Sequence, residues 1–229
     1  PLREFGFDAQ NRLVTVLGDG LANQYRYDAF GSRVFASNAA GSTRYLVDSV
    51  NNTGLSQVLE ERNGAGALNA RYAYSDHLLA MTQSSNTNYV HADTQGNTRL
   101  LTNNAGAVSD TYIYDGYGND AGATGSSSNP YRYGGQRLDA DTGLYQLRAR
   151  SYDPAAGRFI SRDPFGGRPT VPVSQHRYLY ANSDPVNNSD PTGLETLQGL
   201  TVANFINNSL DVAFSTGPYL HAFCDLKTR

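Results

Sequence analysis

Along the first half of the chain, aromatic or apolar residues stand two positions apart and the pair ends in Asp. Phe5-Gly6-Phe7-Asp8, Tyr25-Arg26-Tyr27-Asp28 and Tyr45-Leu46-Val47-Asp48 follow one another at intervals of twenty residues. Side chains two apart share one face of a strand, so each run predicts a strand with one apolar face. A turn follows each Asp: Ala9-Gln10-Asn11, Ala29-Phe30-Gly31 and Ser49-Val50-Asn51. Arg12-Leu13-Val14 and Arg33-Val34-Phe35 then read as return strands. The unit is a β-hairpin, in which Asp bonds turn amides and Gly or Asn takes left-handed dihedrals. The rhythm returns at Tyr72-Ala73-Tyr74, Tyr112-Ile113-Tyr114-Asp115, Tyr131-Arg132-Tyr133-Gly134 and Tyr178-Leu179-Tyr180. A lone hairpin cannot bury its apolar face, whereas stacked hairpins make a continuous sheet. The pattern predicts an all-β chain, with an ordinary Tyr-rich β-sandwich as the alternative.

Composition sharpens this picture. Sixteen Tyr, nine Phe, no Trp and 23 Gly suit half-buried pleated strands joined by tight turns. Runs of Ala, Leu, Glu and Lys that would build long amphipathic helices are few. At 229 residues and a net charge of −3, one or two domains are expected, with no electrostatic footprint for nucleic acid. No apolar run approaches the ~20 residues that span a bilayer. Pro1-Leu2-Arg3-Glu4 lacks Met and the order of a signal peptide, so a fragment of a longer protein is expected.

Several chemistries find no support. Cys224 is the only cysteine, which excludes an intrachain disulfide framework and a Cys-based metal cluster. His77, His91, His176 and His221 are too scattered for a metal site. There is no Gly-rich phosphate loop and no Gly-x-Ser-x-Gly elbow, and no metal or organic cofactor is expected. Ser126, Ser127 and Ser128 read as a flexible link between strands.

Four Asp-Pro pairs crowd the end of this region, at Asp153, Asp163, Asp184 and Asp190. Asp-Pro is ordinary turn language, with Pro fixing φ and Asp accepting turn hydrogen bonds. After Leu194 the Tyr-Asp rhythm stops. Leu197, Leu200, Val202, Phe205, Ile206, Leu210 and Phe214 then recur with partly helical spacing.

The units of the form Tyr25-Arg26-Tyr27-Asp28-Ala29-Phe30-Gly31-Ser32-Arg33 resemble the YD repeats of RHS proteins. Tyr89-Val90-His91-Ala92-Asp93-Thr94-Gln95-Gly96-Asn97-Thr98-Arg99 resembles the segment that opens their final repeats. Tyr131 to Pro164 is close to the signature of the RHS-associated core. It includes Gly135-Gln136-Arg137-Leu138-Asp139, Leu147-Arg148-Ala149-Arg150-Ser151-Tyr152-Asp153-Pro154 and Gly157-Arg158-Phe159-Ile160-Ser161-Arg162-Asp163-Pro164. The resemblance covers roughly residues 1–194. It implies a β-hairpin ribbon wound into a hollow shell around a toxic polypeptide made by the same chain's C-terminus. Three segments are expected: a YD-repeat shell over 1–124, an RHS-associated core over 125–194, and the start of a variable, partly helical effector region over 195–229.

The same resemblance implies chemistry. Asp190-Pro191-Thr192-Gly193-Leu194 matches the sequence at which such cores end, and the core resembles an aspartic autoprotease cutting between Leu194 and Glu195. Hydrolysis by two carboxyls requires one ionised and one protonated, which a close pair achieves by sharing a proton. Asp163 and Asp190 are the expected pair. Arg158 or Arg162 would hold a carboxylate ionised or steady the oxyanion, or else pair structurally with an Asp. Gly193 would allow close backbone approach, Pro191 would shape the turn, and Leu194 would fill an apolar pocket. Asp184 reads as a turn residue, and His176, between the two Asp, as surface or core. In the tail, Cys224 with His221 is a weak nucleophile–base pair, because nothing orients the base.

The partners implied are the chain's own effector inside the shell, the remaining shell or a subunit that closes it, a delivery machinery, and an immunity protein. The shell itself would bind no nucleic acid. Bacterial toxins of the Tc, contact-dependent and type VI kinds share such cores and are secreted or injected, whereas animal teneurins use the shell for adhesion. Two other readings remain open: a non-catalytic shell or adhesion module, and a carrier whose only enzyme is the C-terminal effector.

Overall fold

The computed structural model describes residues 2–167, 169–194 and 196–198. The effector region beyond residue 198, Glu195, His221 and Cys224 lie outside the described residues. Twelve strands, from β1 (Glu4–Phe7) to β12 (Asp120–Thr124), form one antiparallel sheet in which every strand pairs with its neighbours in sequence. The twenty-residue hairpins are its building units: Phe5 sits opposite Val16 and Tyr25 opposite Ala36.

The Asp of each unit makes the turn. Asp28 Oδ1 accepts the amides of Phe30 and Ser32 at 2.9 and 2.8 Å. Asp93 Oδ1 does the same for Gln95 and Asn97, and Asp115 Oδ1 for Tyr117 and Asn119. Three residues after each of these three Asp stands a glycine, Gly31, Gly96 or Gly118, with φ between +79° and +89°, the left-handed region that only glycine enters freely. Ser126–Ser128 is not the free link expected. The Ser127 amide is bound to the buried Asp110 carboxylate at 2.8 Å, and the Ser128 hydroxyl to Gln83 at 2.9 Å.

Tyr25, Tyr45, Tyr72 and Tyr112 turn to one face of this sheet and are buried. The covering layer is the segment after residue 128. Thr98 on the sheet donates its amide to Arg132 O and its hydroxyl to Tyr131 O, and Tyr72 meets Tyr131 edge to face at 5.0 Å. Two buried ion pairs cross the same interface, Arg33 with Asp139 at 2.6 Å and Arg137 with Glu61, which also accepts the Tyr72 hydroxyl. Such pairs hold because each charge has a partner where little water reaches it.

A second antiparallel sheet follows: β13 (Arg137–Asp139), β14 (Leu144–Leu147), β15 (Arg150–Asp153) and β16 (Arg158–Phe159), in that order. It carries an aromatic core, where Tyr133, Tyr145, Tyr152, Phe159 and Tyr180 pack with ring centroids 4.2 to 6.5 Å apart. Burying each ring contributes ~1.5–3 kcal/mol, and the hydroxyls of Tyr133, Tyr145 and Tyr152 reach the backbone carbonyls of Gly116, Gly118 and Tyr117. A last two-stranded ribbon pairs β17 (Asn188–Ser189) with β18 (Leu197–Gln198). Leu197 and Gln198, expected to begin a partly helical stretch, are therefore strand residues.

Candidate active site at the end of the core

In sequence, the Leu194–Glu195 bond falls between β17, which ends at Ser189, and β18, which begins at Leu197. Asp190, just past β17, is 2 % exposed. Its Oδ1 accepts the amides of Gly193 at 2.8 Å and Leu194 at 3.1 Å and the Thr192 hydroxyl at 3.1 Å. This is the turn chemistry expected of Asp-Pro. It consumes only one oxygen, and the other, Oδ2, faces Arg150 Nη2 at 3.4 Å.

Asp163 is arranged in parallel fashion. Its Oδ1 caps the Phe165 amide at 2.8 Å, while its Oδ2 meets the same nitrogen, Arg150 Nη2, at 3.0 Å. Its own backbone is anchored by Arg177, whose carbonyl accepts the Asp163 amide at 2.8 Å and whose guanidinium returns to the Asp163 carbonyl. Two carboxylates 27 residues apart in sequence thus converge on one nitrogen atom.

The bridging cation is Arg150, on β15, and neither of the two arginines singled out by sequence. Arg158 and Arg162 are both exposed, and neither makes an ion pair among the described residues. Arg158 is paired through its backbone with Asp153 across β15 and β16, and Arg162 lends its carbonyl to Asn11. Nearness in sequence to Asp163 pointed to them; the strand pairing instead sends Arg150 inward. The motif Leu147-Arg148-Ala149-Arg150 was the available signal, but nothing in it tells which arginine faces the carboxylates.

Arg150 is held on every side. Its guanidinium lies over the Phe159 ring, 3.6 Å from the centroid. Nε donates to the Gly193 carbonyl and Nη1 to the Arg177 carbonyl. Burial lowers its pKa, and the two carboxylates oppose that fall. Burial pushes Asp190 up to about 6, against the lowering pull of Arg150, Thr192 and the two amides. Asp190 is therefore a carboxyl that changes charge near neutral pH.

Gly193 sits at φ +72°, and a Cβ there would overlap the Leu147 carbonyl oxygen. Its position, close against the turn joining β14 and β15, demands glycine. Leu194 does not fill a closed pocket: it is 40 % exposed and lines an open cleft together with Phe30, Val50, Leu55 and Pro164. Asp153 and Asp184 serve turns, Asp153 binding the Ala155 and Ala156 amides and Asp184 the Asn187 side chain. His176 is exposed at the end of a short 3-10 turn. No cluster of His, Cys, Asp and Glu suited to a metal exists among the described residues, and none of their helices is long and apolar enough to cross a membrane.

Comparison with known proteins places this architecture. The chain is 32 % identical over 199 residues to the tRNA3(Ser)-specific nuclease WapA of Bacillus spizizenii, covering 82 % of this chain and 8 % of that protein. It is 27 % identical over 224 residues to the double-stranded DNA deaminase toxin A of Burkholderia cenocepacia, covering 84 % of this chain and 15 % of that one. Among solved structures, the TcdB2-TccC3-Cdc42 crystal structure superposes with a TM-score of 0.64 at 21 % identity, over 84 % of this chain and 10 % of that one. The chain thus spans only a small part of the proteins it matches. The Teneurin YD-shell model matches residues 2–186, and the chain belongs to that YD-shell family.

Proposed function

We propose that this chain is the closing segment of a toxin-enclosing shell, and that Asp163 and Asp190 hydrolyse the Leu194–Glu195 bond to free an effector inside it. The observation that carries the reading is the convergence of both carboxylates on Arg150 Nη2 beside a loop that contains this bond. Asp190, with its pKa near 6, is the member that carries the proton and polarises the Leu194 carbonyl. Asp163, paired with Arg150 at 3.0 Å, takes a proton from the attacking water. Water oxygen bonds to the Leu194 carbonyl carbon, the C–N bond breaks, and the Glu195 nitrogen leaves with a proton as an amine. Arg150 keeps the two acids apart in charge and position. The reacting bond is part of the same chain, so its effective concentration is very high and a modest catalyst suffices for one turnover.

The toxin setting rests on relatives named as a nuclease and a deaminase toxin, while the likeness to the TcdB2-TccC3-Cdc42 structure supports the fold. In this reading the effector is held by enclosure after cleavage, the rest of the shell or a partner subunit closes the space, and the assembly is secreted or injected by a bacterium with an immunity protein guarding the producer. Purification of the full-length protein followed by denaturing electrophoresis and N-terminal sequencing tests the reading. A fragment beginning at Glu195 is expected. A chain that stays whole leaves a non-catalytic shell whose only enzyme is the effector.

A further inference from the structure

The turn between β14 and β15 meets the chain ahead of the proposed cleavage point in an ordered way. Arg148 Nη1 donates to the Pro191 carbonyl, the Ala149 amide to the Thr192 carbonyl at 3.1 Å, and Arg150 Nε to the Gly193 carbonyl. Three consecutive residues thus cap three consecutive carbonyls, and the next carbonyl along is that of Leu194. The amides on the other side of the same stretch, Gly193 and Leu194, both point to Asp190 Oδ1. At Gly193 the two segments approach so closely that no Cβ fits.

Arg148 is the member whose placement the fold alone does not explain. It holds a left-handed φ of +48°, unusual for a residue with a long side chain. Its guanidinium meets neutral oxygens only: Pro191 O, Ser56 O at 3.3 Å and Gln136 Oε1 at 3.2 Å. Among the described residues it has no carboxylate partner. Burial brings its pKa down to about 10, against the raising pull of Tyr74, Tyr131 and the more distant Asp190.

We infer that Arg148, Ala149 and Arg150 form a backbone clamp that sets which carbonyl reaches Asp163 and Asp190, with Arg148 as a positioning residue, and that keeps residues 191–194 in place after the bond is cut. The inference rests on the proposed cleavage at Leu194. Every hydrogen bond of the clamp lies on the N-terminal side of that bond, so hydrolysis removes none of them. The product ending at Leu194 stays in the site and blocks it against any second chain. Because the clamp reads carbonyls, side chains at 191 and 192 are not what it recognises; only Gly193 is restricted by shape.

Arg148→Gly tests this, since glycine accepts the left-handed backbone without strain and removes the side chain that carries the guanidinium. In the full-length protein, self-cleavage is expected to slow by roughly tenfold to a hundredfold, with added methylguanidine restoring part of the rate. Cleavage at the wild-type rate overturns the inference. Hydrogen exchange supplies the readout that does not depend on cleavage. The Ala149, Gly193 and Leu194 amides are expected to be protected in the cleaved protein and in an uncleaved Asp163→Asn chain, and to exchange faster once Arg148→Gly is added to either. Exchange that ignores Arg148→Gly, or protection lost on cleavage, overturns the clamp. A wild-type chain that never cleaves, yet whose amides respond to Arg148→Gly, overturns the proposed hydrolysis and leaves the clamp standing as a structural device.

Discussion

Asp190 meets Arg150 at 3.4 Å, with the carboxylate only 2 % exposed and its other oxygen occupied by the Gly193 and Leu194 amides. A charge pair so placed is strong only while both members are present. Arg150→Met is expected to destabilise the folded chain by about 3–5 kcal/mol at pH 7, because it leaves Asp190 and Asp163 facing each other without a cation. Adding Asp190→Asn to that variant is expected to recover part of the loss. Chemical denaturation of the single and double variants measures both; equal losses would show that the carboxylate is not what Arg150 neutralises.

Asp190 also links stability to pH. Its pKa is about 6 in the folded chain against a usual 3.8, so the folded state binds the proton more tightly than the unfolded state. The stabilisation from protonating it is complete below the usual value and is lost as pH rises through 6. The difference amounts to something on the order of 3 kcal/mol. In an uncleaved Asp163→Asn background, acidification from pH 7 to pH 5 is expected to stabilise the chain relative to the Asp163→Asn/Asp190→Asn chain. Parallel denaturation curves at the two pH values would contradict the assignment.

The same titration shapes the rate. If protonated Asp190 polarises the Leu194 carbonyl, self-cleavage slows as pH rises through about 6 and falls by about tenfold per further unit. Single-turnover cleavage of chain released from denaturant, followed from pH 5 to pH 8, gives the profile. A rate that climbs with pH across that range would assign the proton to another group.

Gly193→Ala is expected to abolish cleavage while leaving the large sheet intact. The added methyl would overlap the Leu147 carbonyl in a left-handed backbone, so the loop must withdraw from the β14–β15 turn. A circular dichroism spectrum unchanged from the native one, together with loss of the fragment beginning at Glu195, is the expected combination.

How much of this was legible beforehand depends on how far apart the partners lie. The hairpins were, because Tyr25, Tyr27 and Asp28 and their counterparts act within a few residues of one another: side-chain alternation and turn bonds are local. Asp163 and Asp190 stood out through their motifs. Arg150 did not, although its motif was in view, because its partners lie 13 and 40 residues away and the choice among four nearby arginines is made by the pairing of β14, β15 and β16. Arg158 and Arg162 were favoured by nearness in sequence, and the pairing leaves both exposed. The clamp on residues 191–194 was invisible for a related reason: it is made of backbone carbonyls, which every sequence has. The tethered Ser127 shows the reverse error. A run of three serines has the composition of a flexible link, and the buried Asp110 that orders it lies 17 residues upstream.

The central claim is that two acids, Asp163 and Asp190, cut the chain after Leu194. Intact-mass analysis of the full-length protein, folded from denaturant in water enriched in oxygen-18, tests it most directly when Asp163→Asn and Asp190→Asn are run beside it. The account predicts that the native chain yields a product ending at Leu194 with one heavy oxygen in its new carboxylate, and that both variants remain whole. A native chain that stays intact, or either variant that cleaves as the native one does, would contradict it.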